Sequence, residues 1–362
     1  MNLFQANRQW STRPDDEKFK TVEELYNATK AYYETAKEQV VPIDSVRTEA
    51  NNGDVTLIGK KNVPATFTHW SFGQLCARVG APANYLRELP ATLACQNLNH
   101  GLKEYTPADE VKNVNLLFHS NGSLLLRSFT SDKYTRIWNW EVAQRLLGLQ
   151  QYGWNPAMPD FNRGMFGSEK DNPPIYASDH DMFVFLANDN YRIAEPGNPE
   201  GLKRGTIIVN SEVGASSLKF MHFLYRGLCA NHIIWGASKL TEIRVRHVGN
   251  AHERWGHYQA QLKEYLESSS TEQEQKIASA KNIYLGATKD EVLDKLFAQR
   301  NLMLSRKTLD ASYETVRPEE DGSPRTVWGM TQGLTRYSQL SQFADERTAI
   351  DIAAGKLLEA IF

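Results

Sequence analysis

Residues 205–249 constrain the fold of this chain more than any other stretch. Residues 206–209 form a β-branched run after Gly205, which predicts a buried strand. Residues 210–216 are mostly polar and predict a turn, and residues 218–233 are apolar nearly all round, which is typical of a buried helix. Residues 242–248 alternate between apolar and charged side chains, as a half-buried strand does. We therefore expect a strand, a turn, a helix and a strand at the centre of the fold.

One arginine of the predicted central helix needs an acidic partner. Arg226 lies within the apolar run, and a buried arginine is stable only when it is paired. Glu212 lies in the turn just before the helix. The sequence therefore predicts a Glu212–Arg226 ion pair with a structural role.

The predicted strand at residues 242–248 favours an interaction with nucleic acid. If Ile243 and Val245 face the core, Arg244 and Arg246 point to the other side, roughly 7 Å apart. That separation is close to the spacing of phosphates along an extended single strand. The formal net charge of the chain is −2, but residues 203–254 contain eight Lys or Arg against three Asp or Glu, which leaves +5. Alternatively, these arginines meet acids of a neighbouring helix.

The N-terminal part predicts a second group of basic and aromatic residues. Residues 114–118 and 123–129 read as strands joined by a turn at Asn121–Gly122, followed by a strand at 134–138 and a helix at 139–148. Charged and flat side chains together are what a single-stranded nucleic acid requires. The candidate residues in this β-β-β-α run are Arg127, Lys133, Tyr134 and Arg136. Alternatively, the aromatic residues are core and the charges are solvated.

These patterns predict an α+β fold, with an antiparallel sheet covered by helices and a helical C-terminal part. Within residues 68–102, two helices around a glycine turn either cover the sheet or form a helix-turn-helix, and the first interpretation is favoured. We divide the chain into an N-terminal α+β part (1–150), a Gly-, Pro- and Asn-rich loop or lid (151–174), the central unit (175–255) and the helical part (256–362).

Two sets of residues have types that bind metals. Asp179 and Asp181 lie close together in sequence and could bind Mg²⁺ through oxygens, but turn aspartates more often accept from backbone amides. Cys229 and His232 have zinc-ligand spacing, but a structural zinc site usually has several cysteines. The sequence therefore predicts no metal, no cofactor and no catalytic residue.

The compartment follows from three features of the sequence. No apolar run reaches eighteen residues, so we expect no membrane span. The N-terminus lacks the basic-then-apolar order of a signal peptide. Three widely spaced cysteines do not form a disulfide framework. We expect a protein of the host cytoplasm.

Five motifs across most of the chain carry a resemblance to a known family. They are THWSFGQLCARVGAPANYL, LLLRSFTSDKYTRI, GLKRGTIIVNSEVGASSLKFMHFLYRGLCANHIIWG, IRVRHVGNA and VWGMTQGLTRYSQ. With these motifs the chain resembles the phage and plasmid family known as domain of unknown function 932. The resemblance implies a mobile-element protein often found beside DNA-recombination functions, and it brings no catalytic residues. Here residues 328–333 depart from the commoner Trp-Gly-x-x-Asn-Ala form.

We expect a DNA-metabolism protein that binds single-stranded DNA, such as a recombination or annealing factor. Phage annealing proteins commonly have a β-β-β-α core and form rings, so this analogy also suggests a homo-oligomer. One alternative is a metal-dependent enzyme on nucleotides or nucleic acid that uses Asp179, Asp181, Glu212 or His247, although these acids have no diagnostic spacing. Another is an interaction protein that inhibits a host system.

Overall fold

The computed structural model describes residues 15–59, 62–104, 113–157, 174–226, 231–233, 242–340 and 344–359. The fold is α+β, as predicted from the sequence, with helices concentrated in the C-terminal part. The strands are β1 (Lys18–Phe19), β2 (Ala36–Pro42), β3 (Arg47–Asn51), β4 (Asp54–Ile58), β5 (Pro64–Phe67), β6 (Asn113–Asn121), β7 (Ser123–Ser131), β8 (Trp154–Pro156), β9 (Ile175–Ala177), β10 (Met182–Glu195), β11 (Asn198–Asn210), β12 (Leu218–Arg226), β13 (Asn231–Ile233) and β14 (Glu242–Val245). The helices are α1 (Val22–Glu34), α2 (His69–Arg78), α3 (Ala83–Glu88), α4 (Ala91–Glu104), α5 (Asn139–Leu147), α6 (Ala251–Gly256), α7 (Tyr258–Glu267), α8 (Thr271–Asn282), α9 (Lys289–Phe297), α10 (Arg306–Thr315), α11 (Pro318–Asp321), α12 (Val327–Ser338) and α13 (Ala344–Glu359).

The first sheet has six strands in the order β2-β6-β7-β5-β4-β3. The predicted hairpin is confirmed: β6 and β7 pair in antiparallel register up to Asn121 and Ser123, with Gly122 at a φ of 76° in the turn. Helices α2, α3 and α4 cover one face, where Leu75 and Leu98 pack against Leu126. The helical hairpin over the sheet is therefore the arrangement present.

The third strand of the predicted β-β-β-α run is absent. Residues 134–138 form one isolated bridge, between Tyr134 and Val248, and α5 begins directly after them. This segment contacts residues 247 and 248, just after β14, and does not pair with a strand along its length. The Thr135 N–H donates to the His247 carbonyl at 2.8 Å. The run is therefore β-β-α, and its linker joins the two sheets.

The second sheet has the order β1-β9-β10-β11-β12-β13, with β8 on β10 and β14 on β12. Val184, Ile208, Phe220 and Ile243 lie opposite one another on adjacent strands, on the face covered by α1, α5 and α7. Of the predicted loop at 151–174, residues 154–156 form β8 and residues 158–173 lie outside the described ranges.

The predicted helix at residues 218–233 is wrong, because residues 218–226 form strand β12. Leu218, Phe220, His222 and Leu224 are buried on one face. Phe223 is buried on the other, in a separate apolar cluster. A strand covered on both faces loses its visible alternation, and its apolar run then resembles a buried helix.

The C-terminal helices have a core of their own. Trp328 and Leu334 of α12 pack with Leu293 of α9 and Leu357 of α13. Helices α9, α10 and α12 each begin after a Thr or Ser that accepts a hydrogen bond from the third helical residue. In the described ranges no helix combines the length and apolar character that a membrane crossing requires.

Candidate nucleic-acid interface

Four basic residues lie where β12, β14 and the end of β7 come together. Lys219 is directly opposite Arg244 in the β12–β14 pair, so their Cα atoms are about 5 Å apart. The strand predicted at 242–248 ends at Val245, and Arg246 lies just beyond it. Arg244 and Arg246 are exposed and Val245 is buried, as the alternation predicts. Lys133 is exposed and precedes Tyr134, which bridges Val248. We call Lys133, Lys219, Arg244 and Arg246 the basic strip.

The described residues pair no acid with the basic strip. Arg244 Nε donates to Ser217 Oγ at 2.9 Å, which fixes the guanidinium beside the β11–β12 turn. In the described part of the chain none of the four side chains forms an ion pair. Lys133, Arg244 and Arg246 are also exposed to solvent.

Arg127, also predicted to bind nucleic acid, is instead buried between the two sheets. It is 1% exposed, and its Nη1 lies 2.9 Å from Glu212 Oε2. Its Nη2 donates to the Asp179 carbonyl at 2.8 Å, and the guanidinium lies 4.4 Å from the ring centre of Tyr32. A guanidinium enclosed in this way cannot reach a phosphate, so the predicted role for Arg127 is wrong.

Arg136 and Tyr134 are likewise internal. Arg136 donates to the backbone carbonyl of Glu212 and lies 3.2 Å from Glu38 Oε1. Burial lowers the pKa of Arg136, and Glu38 opposes that shift. The Tyr134 hydroxyl donates to the Ser211 carbonyl at 2.9 Å, and its ring stacks on His247 with centroids 5.1 Å apart. Neither Arg136 nor Tyr134 therefore presents its polar group to solvent.

Glu212 is the centre of this buried network, and it holds the β11–β12 turn in place. Its Oε1 accepts from the N–H of Asn139 at the first turn of α5, at 2.8 Å. A carboxylate at a helix N-terminus is stabilised by the free N–H groups and the helix dipole. Gln74 and Trp70 of α2 donate to the carbonyl of Val213, the next residue, at 2.7 and 3.0 Å. These contacts fix the start of β12, and hence Lys219, against the first sheet.

The predicted Glu212–Arg226 ion pair is wrong. Arg226 Nη2 lies 3.0 Å from Glu195 Oε1, and Nη1 lies 2.8 Å from Asp321 Oδ1. Because β12 is a strand, Arg226 is at its far end, roughly 27 Å from its start. Glu195, Arg226 and Asp321 tie the second sheet to α11, so the pairing is structural but has other partners.

The described candidate metal ligands, Asp179 and Asp181, bond to side chains close to them in sequence. Asp179 Oδ1 lies 2.8 Å from His180 Nδ1, and Asp181 Oδ1 accepts from Ser178 Oγ at 2.6 Å. Among the described residues no group of three or more His, Cys, Asp or Glu could hold a metal ion. Cys229 and the side chain of His232 lie outside the described part of the chain.

His247, a candidate base in the enzyme hypothesis, is buried beneath the basic strip. Its Nδ1 lies 3.1 Å from the Tyr134 hydroxyl. Burial, assisted by the nearby charge of Arg136, lowers its pKa to about 4. The neutral imidazole of His247 stacks on the Tyr134 ring, so its role here is in packing.

Sequence reasoning missed Lys219, Glu38 and Glu195. Helical periodicity puts Lys219 on a helix stripe, whereas strand periodicity places it on the same sheet face as Arg244. Glu38 and Glu195 lie 98 and 31 residues from the arginines that they pair with. No local sequence signal identifies such partners.

Strands β10 to β14 and most of the C-terminal helices lie in a range that matches a known family model. Residues 183–353 match the family model described as "Domain of unknown function (DUF932)". This range includes Lys219, Arg244 and Arg246 but neither Lys133 nor Arg127. No curated protein and no solved structure matches the chain.

Proposed function

We propose, for a chain whose residues 183–353 belong to the family described as domain of unknown function DUF932, that the basic strip binds the phosphates of single-stranded DNA. The supporting observation is the grouping of Lys219 on β12, Arg244 on β14 and Arg246 just after β14, with no ion pair to an acid in the described residues. Phosphate contacts from Lys and Arg supply most of the affinity in sequence-independent binding.

The strip suits an extended strand in its geometry as well as its charge. Arg244 lies in β14, Arg246 follows directly after the end of that strand, and Lys219 adds a third cation directly opposite Arg244. The buried contacts of Glu212 and Tyr134 hold the surrounding backbone in place before any ligand arrives. Binding then requires little ordering of the protein, which lowers its entropic cost.

The test is fluorescence anisotropy with a labelled oligothymidylate at several salt concentrations. The double variant Arg244→Ala/Arg246→Ala should bind more weakly, with a salt slope reduced by about 0.7 for each phosphate that is no longer neutralised. Arg244→Lys/Arg246→Lys should retain most of the affinity, because it keeps both charges.

The matched control removes two exposed cations from another part of the surface. Lys295 and Arg300 are both exposed and lie at the α9 end of the C-terminal helices. Lys295→Ala/Arg300→Ala should bind as the unsubstituted chain does. The proposal is wrong if the unsubstituted chain does not bind at low salt, or if both double alanine variants lose affinity equally.

A further inference from the structure

The two edges of the first sheet are not equivalent. At one edge, Asn99 of α4 closes the middle of β3. Its Oδ1 accepts from the Thr48 N–H at 2.7 Å, and its Nδ2 donates to the Thr48 carbonyl at 2.8 Å. The amide thus occupies the backbone donor and acceptor that a further strand would use. This edge is protected against strand addition.

Among the described residues, no side chain closes the other edge, β2, in this way. In the described part of the chain β2 pairs with β6 and with no other strand. The Ser120 N–H donates to the Thr35 carbonyl, just before β2 begins. Because backbone direction alternates along a strand, Ala36, Glu38 and Val40 then direct their N–H and C=O groups outward. Pro42, which lacks an N–H, falls in the same outward set.

The side chains of β2 also leave apolar area uncovered. Val40 is 54% exposed although it lies in a strand. Glu38, its neighbour on the same face, accepts from Asn115 and pairs with Arg136, so its charge is already compensated. The edge therefore combines outward backbone groups with an exposed valine.

We infer that β2 is a dimerisation edge and that its partner is the β2 strand of a second copy of this chain. A two-fold axis through Gln39 gives an antiparallel pair in which Glu38 lies opposite Val40 and Lys37 opposite Val41. No like charges are directly opposed in this register, so the sequence is self-complementary. The outward groups then form roughly six backbone hydrogen bonds between the copies.

The difference between the β2 and β3 edges limits the assembly to a closed dimer. Asn99 blocks the addition of a strand at β3, so a further strand can add to the sheet at β2. A two-fold symmetric pair of β2 strands uses that edge in both copies. The product is one continuous sheet across a closed dimer. This inference does not depend on DNA binding, because Lys219 and Arg244 of the basic strip lie on the other sheet.

Light scattering after size exclusion tests the stoichiometry. The mass should rise with concentration from 41.1 kDa towards twice that value. Val40→Pro removes an outward N–H that β6 does not use, so it should give a monomer with an unchanged far-ultraviolet spectrum. Val63→Lys is the control, because Val63 is 52% exposed but lies outside the strands. A monomer at every concentration, or a dimer unaffected by Val40→Pro, overturns the inference.

Cross-linking tests the register. Residue 39 lies opposite its own copy in a non-hydrogen-bonded pair, where Cα atoms are about 4.5 Å apart. Gln39→Cys should therefore form a disulfide-linked dimer on mild oxidation. Lys37→Cys should not, because its two copies would be roughly 13 Å apart. Cys76 and Cys95 are buried, and Cys229 is present in both variants, so the difference between the two variants reports on the new thiol. Equal cross-linking of both variants overturns the Gln39-centred pair.

Discussion

Arg127 Nη1 lies 2.9 Å from Glu212 Oε2, and each side chain is at least 96% buried. Arg127 lies on β7 of the first sheet, and Glu212 lies in the turn after β11 of the second sheet. Glu212 accepts at the same time from the first turn of α5. This pair thus joins three elements at the point where the two sheets meet.

Removing the carboxylate should destabilise the whole fold. Glu212→Ala leaves Arg127 buried without its charged partner, which typically costs about 3–5 kcal/mol. Urea unfolding followed by circular dichroism measures the change in the free energy of unfolding. Arg127→Met/Glu212→Leu should recover part of it, because no buried charge is left unpaired.

An exposed ion pair provides the control for this prediction. Arg47 and Glu49 are about half exposed and 2.8 Å apart. Arg47→Ala should therefore cost about 0–1 kcal/mol. A destabilisation by Glu212→Ala as small as that of Arg47→Ala would mean that the buried pair contributes little.

Gly205 and Phe223 form a second test of the sheet. They lie opposite each other on β11 and β12, and a Cβ at position 205 would overlap the Phe223 ring. Gly205→Ala should cost about 1–3 kcal/mol through overpacking. The penalty should shrink in a Phe223→Leu background, since the ring is gone.

Thermal or urea unfolding of all four members of this double-mutant cycle measures the coupling. Gly59→Ala is the control, because a Cβ there meets nothing within 4 Å. Additive effects of the changes at positions 205 and 223 would contradict direct contact between them.

Features that depend on local sequence could be predicted. Thr21 and Glu24, which follow the Thr-x-x-Glu pattern, form a capping box at the start of α1. The Asn121–Gly122 turn sets the β6–β7 hairpin, because Gly adopts the positive φ that the turn requires. The predicted strand at 206–209 lies within β11. In each case residues close in sequence determine the conformation.

Features that depend on distant partners could not be predicted. The partner of Glu212 lies 85 residues away, and Asp321 lies 95 residues from Arg226. The sequence of β12 resembles a helix because both faces of the strand are covered, and a helix there would separate Lys219 from Arg244. The alternation around Arg244 and Arg246 is visible in the sequence, but it could not decide between exposure and pairing with acids of a neighbouring helix, and in the structure both residues are exposed.

Acid should destabilise the protein through His222. This imidazole stacks on Tyr265 with centroids 4.0 Å apart, and within the described residues neither ring nitrogen has a hydrogen-bond partner. Burial, assisted by the charge of Arg204, lowers its pKa to about 4 from an ordinary value of 6.5. The unfolded chain then binds the proton more tightly than the folded chain does. The stability that depends on a neutral His222 is fully present above pH 6.5 and is lost as the pH falls towards 4.

Denaturant unfolding at two pH values measures this effect. Between about pH 7 and about pH 5, His222 should account for a destabilisation of about 2 kcal/mol. His222→Gln removes the titrating group and should reduce the pH-dependent change by that amount. His257→Gln, at an exposed histidine before α7, should leave it unchanged. If His222→Gln and the unsubstituted chain lose the same free energy of unfolding on acidification, protonation of His222 is not linked to folding.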